Sequence, residues 1–194
     1  AGKRWVVNID EVEEPLPEES GIPWKDKGVY LITGGSGGLG LIFAREIADR
    51  VKDAVLVLTG RSEPDDDKKA LIETLKESGA RIEYRQTDVS KTEDVGDLIE
   101  YISKAYGVLN GVIHSAGIIS DNFIIRKSVG EFEEVLAPKV TGLVNLDEAT
   151  KELPLDFLII FSSIAGSVGN IGQADYACAN AFAGAYAAYR NRLV

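Results

Sequence analysis

The chain has no methionine, one cysteine and one histidine among its 194 residues. A lone Cys178 excludes an intrachain disulfide, and with His114 alone beside it no zinc ligand set remains. No metal is expected, and a reducing cytoplasm is the simplest compartment. Without methionine there is no translation start, so the chain is expected to be a piece of a longer polypeptide. Basic residues are also scarce. Lys and Arg total 21 against 31 Asp and Glu, a net charge of −10. Nucleic acid needs a basic face, so that partner is excluded. No apolar run reaches the roughly 20 residues of a membrane span, and nothing resembles a signal peptide. What is present is ordinary for a globular domain, at 45% hydrophobic and 27% charged. The length fits one domain with a real core.

Residues 1–25 differ from the rest. WVVNI over 5–9 predicts a strand, and EVEEPLPEESGIP after it is acidic and proline-containing, as a linker is. From Val29 onward strand and helix alternate. Short apolar runs predict strands at GVYLITG (28–34), 54–60, 109–117 and 156–163, and 81–89 alternates like a further strand. Helices are expected over 38–50, 65–78, about 90–106, from 128 past 139, and 174–193. Ser90 with Glu93, and Ser128 with Glu131, have capping-box spacing. The Asp65–Asp67 run favours a helix N-terminus. Apolar strands alternating with helices predict an α/β fold, a Rossmann-like doubly wound parallel sheet with helices on both faces. Ligands then sit beyond the carboxyl ends of the strands, where strand order reverses.

TGGSGGLG joins the first strand to the first helix. Gly35, Gly37 and Gly40 satisfy G-x-G-x-x-G, while Gly34, Gly38 and Gly40 satisfy G-x-x-x-G-x-G. Glycines there permit a tight turn and close approach of backbone to pyrophosphate. No G-K-[ST] follows, which excludes a P-loop. A site for NAD would carry an acid about 20 residues further on. Instead the second strand ends LTGRS, and Arg61 can pair with a 2′-phosphate, with the Ser62 hydroxyl beside it. The expected cofactor is therefore NADPH. Asp88, ending the third strand, suits a bond to the adenine amino group.

Phe161 to Phe182 reads FSSIAGSVGNIGQADYACANAF. Ser163 can hold a carbonyl oxygen and Tyr176 can donate a proton to it. A tyrosine near its free pKa of about 10 needs a neighbouring ammonium for this work. Asn180 stands where a lysine would be expected and cannot serve. Lys139 can, provided its helix packs beside the Tyr176 helix, and Asn180, at i+4 from Tyr176, can then hold a water. Singly, these residues are equally a strand end, a core aromatic and a solvated charge. Together, behind a nucleotide loop, they point to ketone reduction. His114 ends an apolar strand and is expected to be buried and hydrogen-bonded. Cys178 is expected to be a small packing residue.

The motifs GVYLITGGSGGLG, HSAG (114–117), LAPKVTGL (136–143), FSSIAG and YACANAF resemble a short-chain dehydrogenase/reductase, and more closely the ketoreductase domain of a modular polyketide synthase. In ordinary short-chain reductases the tyrosine helix carries the lysine and the earlier helix the asparagine. In these ketoreductases the two are exchanged, as Lys139 and Asn180 are here. The resemblance implies a catalytic tetrad of Lys139, Ser163, Tyr176 and Asn180, with Ser162 the lesser serine. It implies a cofactor site of Thr33, Gly34, Gly35, Ser36, Gly37, Gly38, Leu39 and Gly40. Arg61, Ser62, Asp88, Val89, Ser115, Ala116 and Gly117 join it, together with Lys139 and Tyr176. The substrate implied is a β-ketoacyl group on the phosphopantetheine of an acyl carrier protein, with neighbouring polyketide synthase domains as further partners.

Members that make a D-configured hydroxyl carry Leu-Asp-Asp after the HxAG strand. Here Ile119, Ser120 and Asp121 align, and only Asp121 keeps the acid. Members of the opposite type carry a Trp eight residues before the tyrosine, where this chain has Val168. The resemblance thus implies a B-type reductase with Asp121 at the stereocontrol position. It also implies that residues 1–25 are the tail of a preceding structural subdomain, and that 26–194 are a catalytic part ending before the lid helix and last strands. Two other readings stay open: a Rossmann module that binds without turnover, and a stand-alone ketone reductase.

Overall fold

The computed structural model describes residues 21–193, so the strand expected over 5–9 lies outside the described residues. The order is β1 (Val29–Thr33), α1 (Gly38–Arg50), β2 (Val55–Gly60), α2 (Asp66–Lys76), β3 (Arg81–Gln86) and α3 (Thr92–Tyr106). There follow β4 (Gly111–His114), α4 (Val129–Lys139), α5 (Thr141–Thr150), β5 (Phe157–Ile160), α6 (Ala165–Val168) and α7 (Ala174–Arg190). The sheet runs β3-β2-β1-β4-β5 and every pairing is parallel. This is the expected Rossmann-like doubly wound sheet. The order reverses between β1 and β4, which opens a crevice at their carboxyl ends. Thr33 pairs in register with Thr59 on one side and His114 on the other, so three strand ends meet there.

The inner strands β1, β2 and β4 are apolar at nearly every position because both faces are covered, whereas the edge strand β3 alternates polar with apolar residues. Tyr30, Ile32, Leu56 and Leu58 face Ala44 and Ile47 of α1 and Ile72 and Leu75 of α2. Val29, Leu31, Val57 and Val112 face the other way, onto Val95, Leu98, Ile99 and Ile102 of α3 and Leu146 of α5. The α3 residues recur at the i, i+3, i+4, i+7 spacing of one helical stripe. Burying each such side chain is worth about 2 kcal/mol before packing terms. No helix among the described residues is long and apolar enough to cross a membrane.

Helix ends follow local chemistry, with two departures from expectation. Asp65 caps α2, its Oδ1 accepting from the Lys68 N–H, with Asp66 and Asp67 in the first turn. Ser128 and Glu131 form the expected capping box on α4. The box expected from Ser90 and Glu93 does not form. Ser90 Oγ donates to Asp88 Oδ1 instead (2.7 Å), and α3 opens one residue later from Lys91, without a side-chain cap. Both the Ser90 N–H and its hydroxyl donate to Asp88 Oδ1, and this turn back onto the aspartate carries Ser90 out of the capping position. The same turn ends β3 at Gln86, short of Val89. The helix expected to run past Lys139 is broken into α4 and α5 at Val140, two residues after Pro138, which has no N–H for the helical ladder.

Candidate active site

β1 turns into α1 through the glycine-rich loop at the sheet's switch point. Gly34 takes φ +65°, and a Cβ on it would lie 2.9 Å from the Ala116 backbone. At Gly40 a Cβ would lie 2.6 Å from the Gly34 carbonyl oxygen. Only glycine fits either place. α1 then begins with no side-chain cap and no acid in its first turn, so its leading N–H groups are left for an anion from outside. An open cleft of about 210 Å³ lies against this turn. Gly60, Arg61 and Ser62 line it after β2, Asp88 and Val89 after β3, and Ala116 and Gly117 after β4. A glycine cradle, a cation at one end and small residues along the wall fit a nicotinamide dinucleotide.

Arg61 lies half-exposed at the cleft, its Nη1 3.5 Å from Glu134 Oε1 on α4. Its backbone carbonyl accepts from Gln86 Nε2, and the Ser62 carbonyl accepts from the Tyr84 hydroxyl. These two clasps from β3 were not readable beforehand, since no spacing ties β3 to the end of β2. Burial pushes the Asp88 carboxyl up, but hydrogen bonds from Ser90 outweigh it and hold the group below its ordinary value. Two residues expected in the cofactor site bond to the frame that surrounds it. Thr33 is fully buried with its hydroxyl on His114, and Ser115 Oγ donates to the Thr33 carbonyl. Thr59, Thr87, Ile118, Ala137 and Pro138 line the cleft and were missed. They are small or apolar, with no chemistry to mark them.

The proposed catalytic residues gather where β4 and β5 end. α4 packs on α7, which meets the condition set for Lys139. Lys139 is buried, its Nζ donating to the Phe161 carbonyl at 2.8 Å and lying 5.9 Å from the Tyr176 ring centre. Burial pushes its pKa below the ordinary lysine value. Ser162 and Ser163 separate by their bonds: Ser162 Oγ donates to the Asn180 carbonyl, while Ser163 Oγ only accepts, from the Ala165 N–H. Ser163 therefore keeps its own proton for a ligand oxygen. Asn180 is buried, its Nδ2 donating to the Tyr176 carbonyl at 2.7 Å and its Oδ1 without a partner. Asp121 does not stand alone, because both its carboxylate oxygens accept from Gln173 Nε2. Cys178 is exposed, which corrects the expectation of a packing residue. It falls off the α7 stripe that buries Asp175, Ala179, Asn180 and Ala183.

His114 is buried as expected, at 1% exposure. Its Nε2 must donate to the Pro138 carbonyl (3.0 Å), because a carbonyl only accepts. Nδ1 then accepts from the Thr33 hydroxyl at 2.7 Å. Burial, aided by the Lys139 charge, pushes the imidazole pKa down to about 4. Below pH 6.5 the unfolded chain takes up a proton that the folded chain refuses until about 4, so stability falls across that window. His114 alone is expected to remove about 3 kcal/mol between pH 7 and pH 4. Urea titrations of wild type and His114→Gln at both pH values measure this. Equal losses in the two proteins would assign the acid sensitivity elsewhere.

The sheet order and cleft define a Rossmann-like dinucleotide-binding module of the short-chain dehydrogenase/reductase class. A family model described as the KR domain matches residues 28–193, and the chain belongs to that ketoreductase domain family. It is 57% identical over 193 residues to polyketide synthase PksN of Bacillus subtilis (strain 168), covering 100% of this chain and 4% of that protein. Polyketide synthase PksL of the same strain is 56% identical over 191 residues, covering 98% of this chain and again 4% of the relative. The chain thus spans a small part of the curated relatives it matches. A crystal structure of a ketoreductase domain from the bacillaene assembly line superposes with TM-score 0.89 at 53% identity, covering 92% of this chain and 43% of that one. A-type ketoreductases from a modular polyketide synthase superpose at TM-score 0.84 and 33% identity, covering 93% and 38%. Reduction of a β-ketoacyl group is the general activity of the family.

Proposed function

We propose that this chain reduces a β-ketoacyl thioester, held on the phosphopantetheine of an acyl carrier protein, to a β-hydroxyacyl thioester with NADPH. It does so in the cytoplasm, beside other domains of a polyketide synthase. The observation that carries this reading is the placement of Lys139 from α4 against the Tyr176 ring of α7. In this reading the contact lets the exchanged lysine serve as a same-helix lysine would.

When bound, the nicotinamide supplies the hydride. Ser163 Oγ donates a hydrogen bond to the ketone oxygen, and the Tyr176 hydroxyl delivers the proton to it. The buried Lys139 ammonium stabilises the negative charge left on the phenol oxygen. Asn180 ties the Tyr176 carbonyl and so holds that turn of α7 in place. NADPH oxidation with a β-ketoacyl N-acetylcysteamine thioester, by the full-length protein and its Tyr176→Phe variant, tests the proposal. Oxidation by the first and not the second is expected. No oxidation by either leaves a module that binds without turnover.

Arg61 selects the phosphorylated cofactor in this reading. Its guanidinium is at the cleft, and β2 ends in LTGRS with no acid at its tip to bond a ribose hydroxyl. Arg61→Ala is expected to raise KM for NADPH about tenfold or more, the loss of one charge-assisted pair, and to leave KM for NADH unchanged. Steady-state kinetics with both cofactors measure it. An equal change for both would remove Arg61 from the specificity role. Val168 in place of the A-type tryptophan, with Asp121 retained, supports a D-configured hydroxyl product. Chiral chromatography of the product decides this, and an L-hydroxyl overturns it.

A further inference from the structure

Lys127 and Asp175 form an ion pair that the tetrad and cleft leave unused. Their side chains are 2% and 1% exposed, whereas every other ion-paired side chain among the described residues is at least 16% exposed. Lys127 Nζ lies 2.5 Å from Asp175 Oδ2 and also donates to the Ser120 carbonyl. Asp175 Oδ1 accepts from the Tyr176 N–H at 2.8 Å. One buried network therefore runs from the Ser120 backbone, through two charges, to the backbone of Tyr176.

Ser120 and Asp121 belong to the loop between β4 and α4. That loop has little apolar anchorage: Phe123, Ile124 and Ile125 are 60%, 67% and 89% exposed. What holds it against the start of α7 is polar. The Asn122 N–H donates to the Gly172 carbonyl at 2.9 Å, and Gln173 Nε2 donates to Asp121. The Gln173 bond is open to water. Burying two charges is costly, and an apolar pair of similar volume often stabilises a fold as well or better. An apolar pair lacks direction. A displaced loop would strand a buried ammonium or carboxylate without its partner, so the pair enforces a single register.

We propose that Lys127 and Asp175 are positioning residues that lock the 118–128 loop in register with Tyr176, and thereby determine which face of the ketone is reduced. This rests on the reductase reading above. Ser120 and Asp121 then flank the substrate in a set relation to the proton donor. Movement of the loop beyond Ile118, its one residue on the cofactor cleft, changes the angle at which an acyl chain meets Tyr176.

The test uses the full-length protein with Lys127→Met, Asp175→Asn, and the double variant Lys127→Met/Asp175→Leu. The double variant strands no charge, only the Ser120 carbonyl and the Tyr176 N–H, so its melting temperature is expected to fall less than that of either single variant. With a β-ketoacyl N-acetylcysteamine thioester, the double variant is expected to lose at least tenfold in product enantiomer ratio and in kcat. KM for NADPH should not change. A folded double variant with unchanged ratio and kcat overturns the inference while leaving the reductase reading standing. An inactive wild type defeats the reductase reading, and hydrogen exchange then judges the clamp. Lys127→Met is expected to speed exchange of the Asn122 and Tyr176 amides at least tenfold, and unchanged protection there overturns it.

Discussion

Tyr176→Phe is expected to lower kcat for β-ketoacyl thioester reduction by about 10²–10⁴-fold, the usual worth of a general acid. The substitution removes one oxygen and keeps the ring. The ring is half-buried on α7, and Asn180 and Asp175 hold that turn through the backbone, which phenylalanine retains. The fold should therefore persist, with the melting temperature unchanged. Steady-state kinetics and thermal unfolding on the same preparations measure the two halves. A variant that stays folded and keeps wild-type kcat would remove Tyr176 from the proton-donor role.

Lys139→Met is expected to lower kcat at neutral pH by about 100-fold, within the range of an acid–base partner. The buried ammonium lies 5.9 Å from the Tyr176 ring centre, and methionine fills its volume without the charge. Stability should respond in the opposite sense from activity. Burial holds the Lys139 pKa below 10.5, so the folded chain binds this proton less tightly than the unfolded chain. Its charge therefore costs stability at neutral pH, and that cost fades as pH rises toward 10.5. Lys139→Met removes the penalty along with the hydrogen bond to Phe161, and is expected to melt no lower than wild type at pH 7. A variant that loses activity only because it unfolds would contradict this.

The double-sided burial of the sheet explains why so much was legible beforehand. Strands covered on both faces must be apolar at every position, and such runs alternating with amphipathic helices permit few topologies. The glycine loop was readable for a similar reason, because Gly34 and Gly40 sit where a Cβ would strike backbone. Helix ends were less secure. Ser90 had the spacing of a cap, but its N–H and hydroxyl both turn back onto Asp88. Cys178 was misjudged because small size alone does not say which side of a helix faces inward.

The sequence by itself determined the fold class, the glycine turn, the order of the motifs and the candidates for proton donor and cation. Each depends on periodicity or on a few neighbouring residues, and local sterics enforce it. Only the tertiary structure decided which candidates meet. Lys139 reaches the Phe161 carbonyl across 22 residues, and Lys127 reaches Asp175 across 48. It also decided that Ser162 is bound to α7 while Ser163 keeps its proton free, although the two are adjacent in the chain. Such contacts arise when elements distant in sequence pack at the switch point, and no local spacing encodes the angle at which α4 and α7 come together.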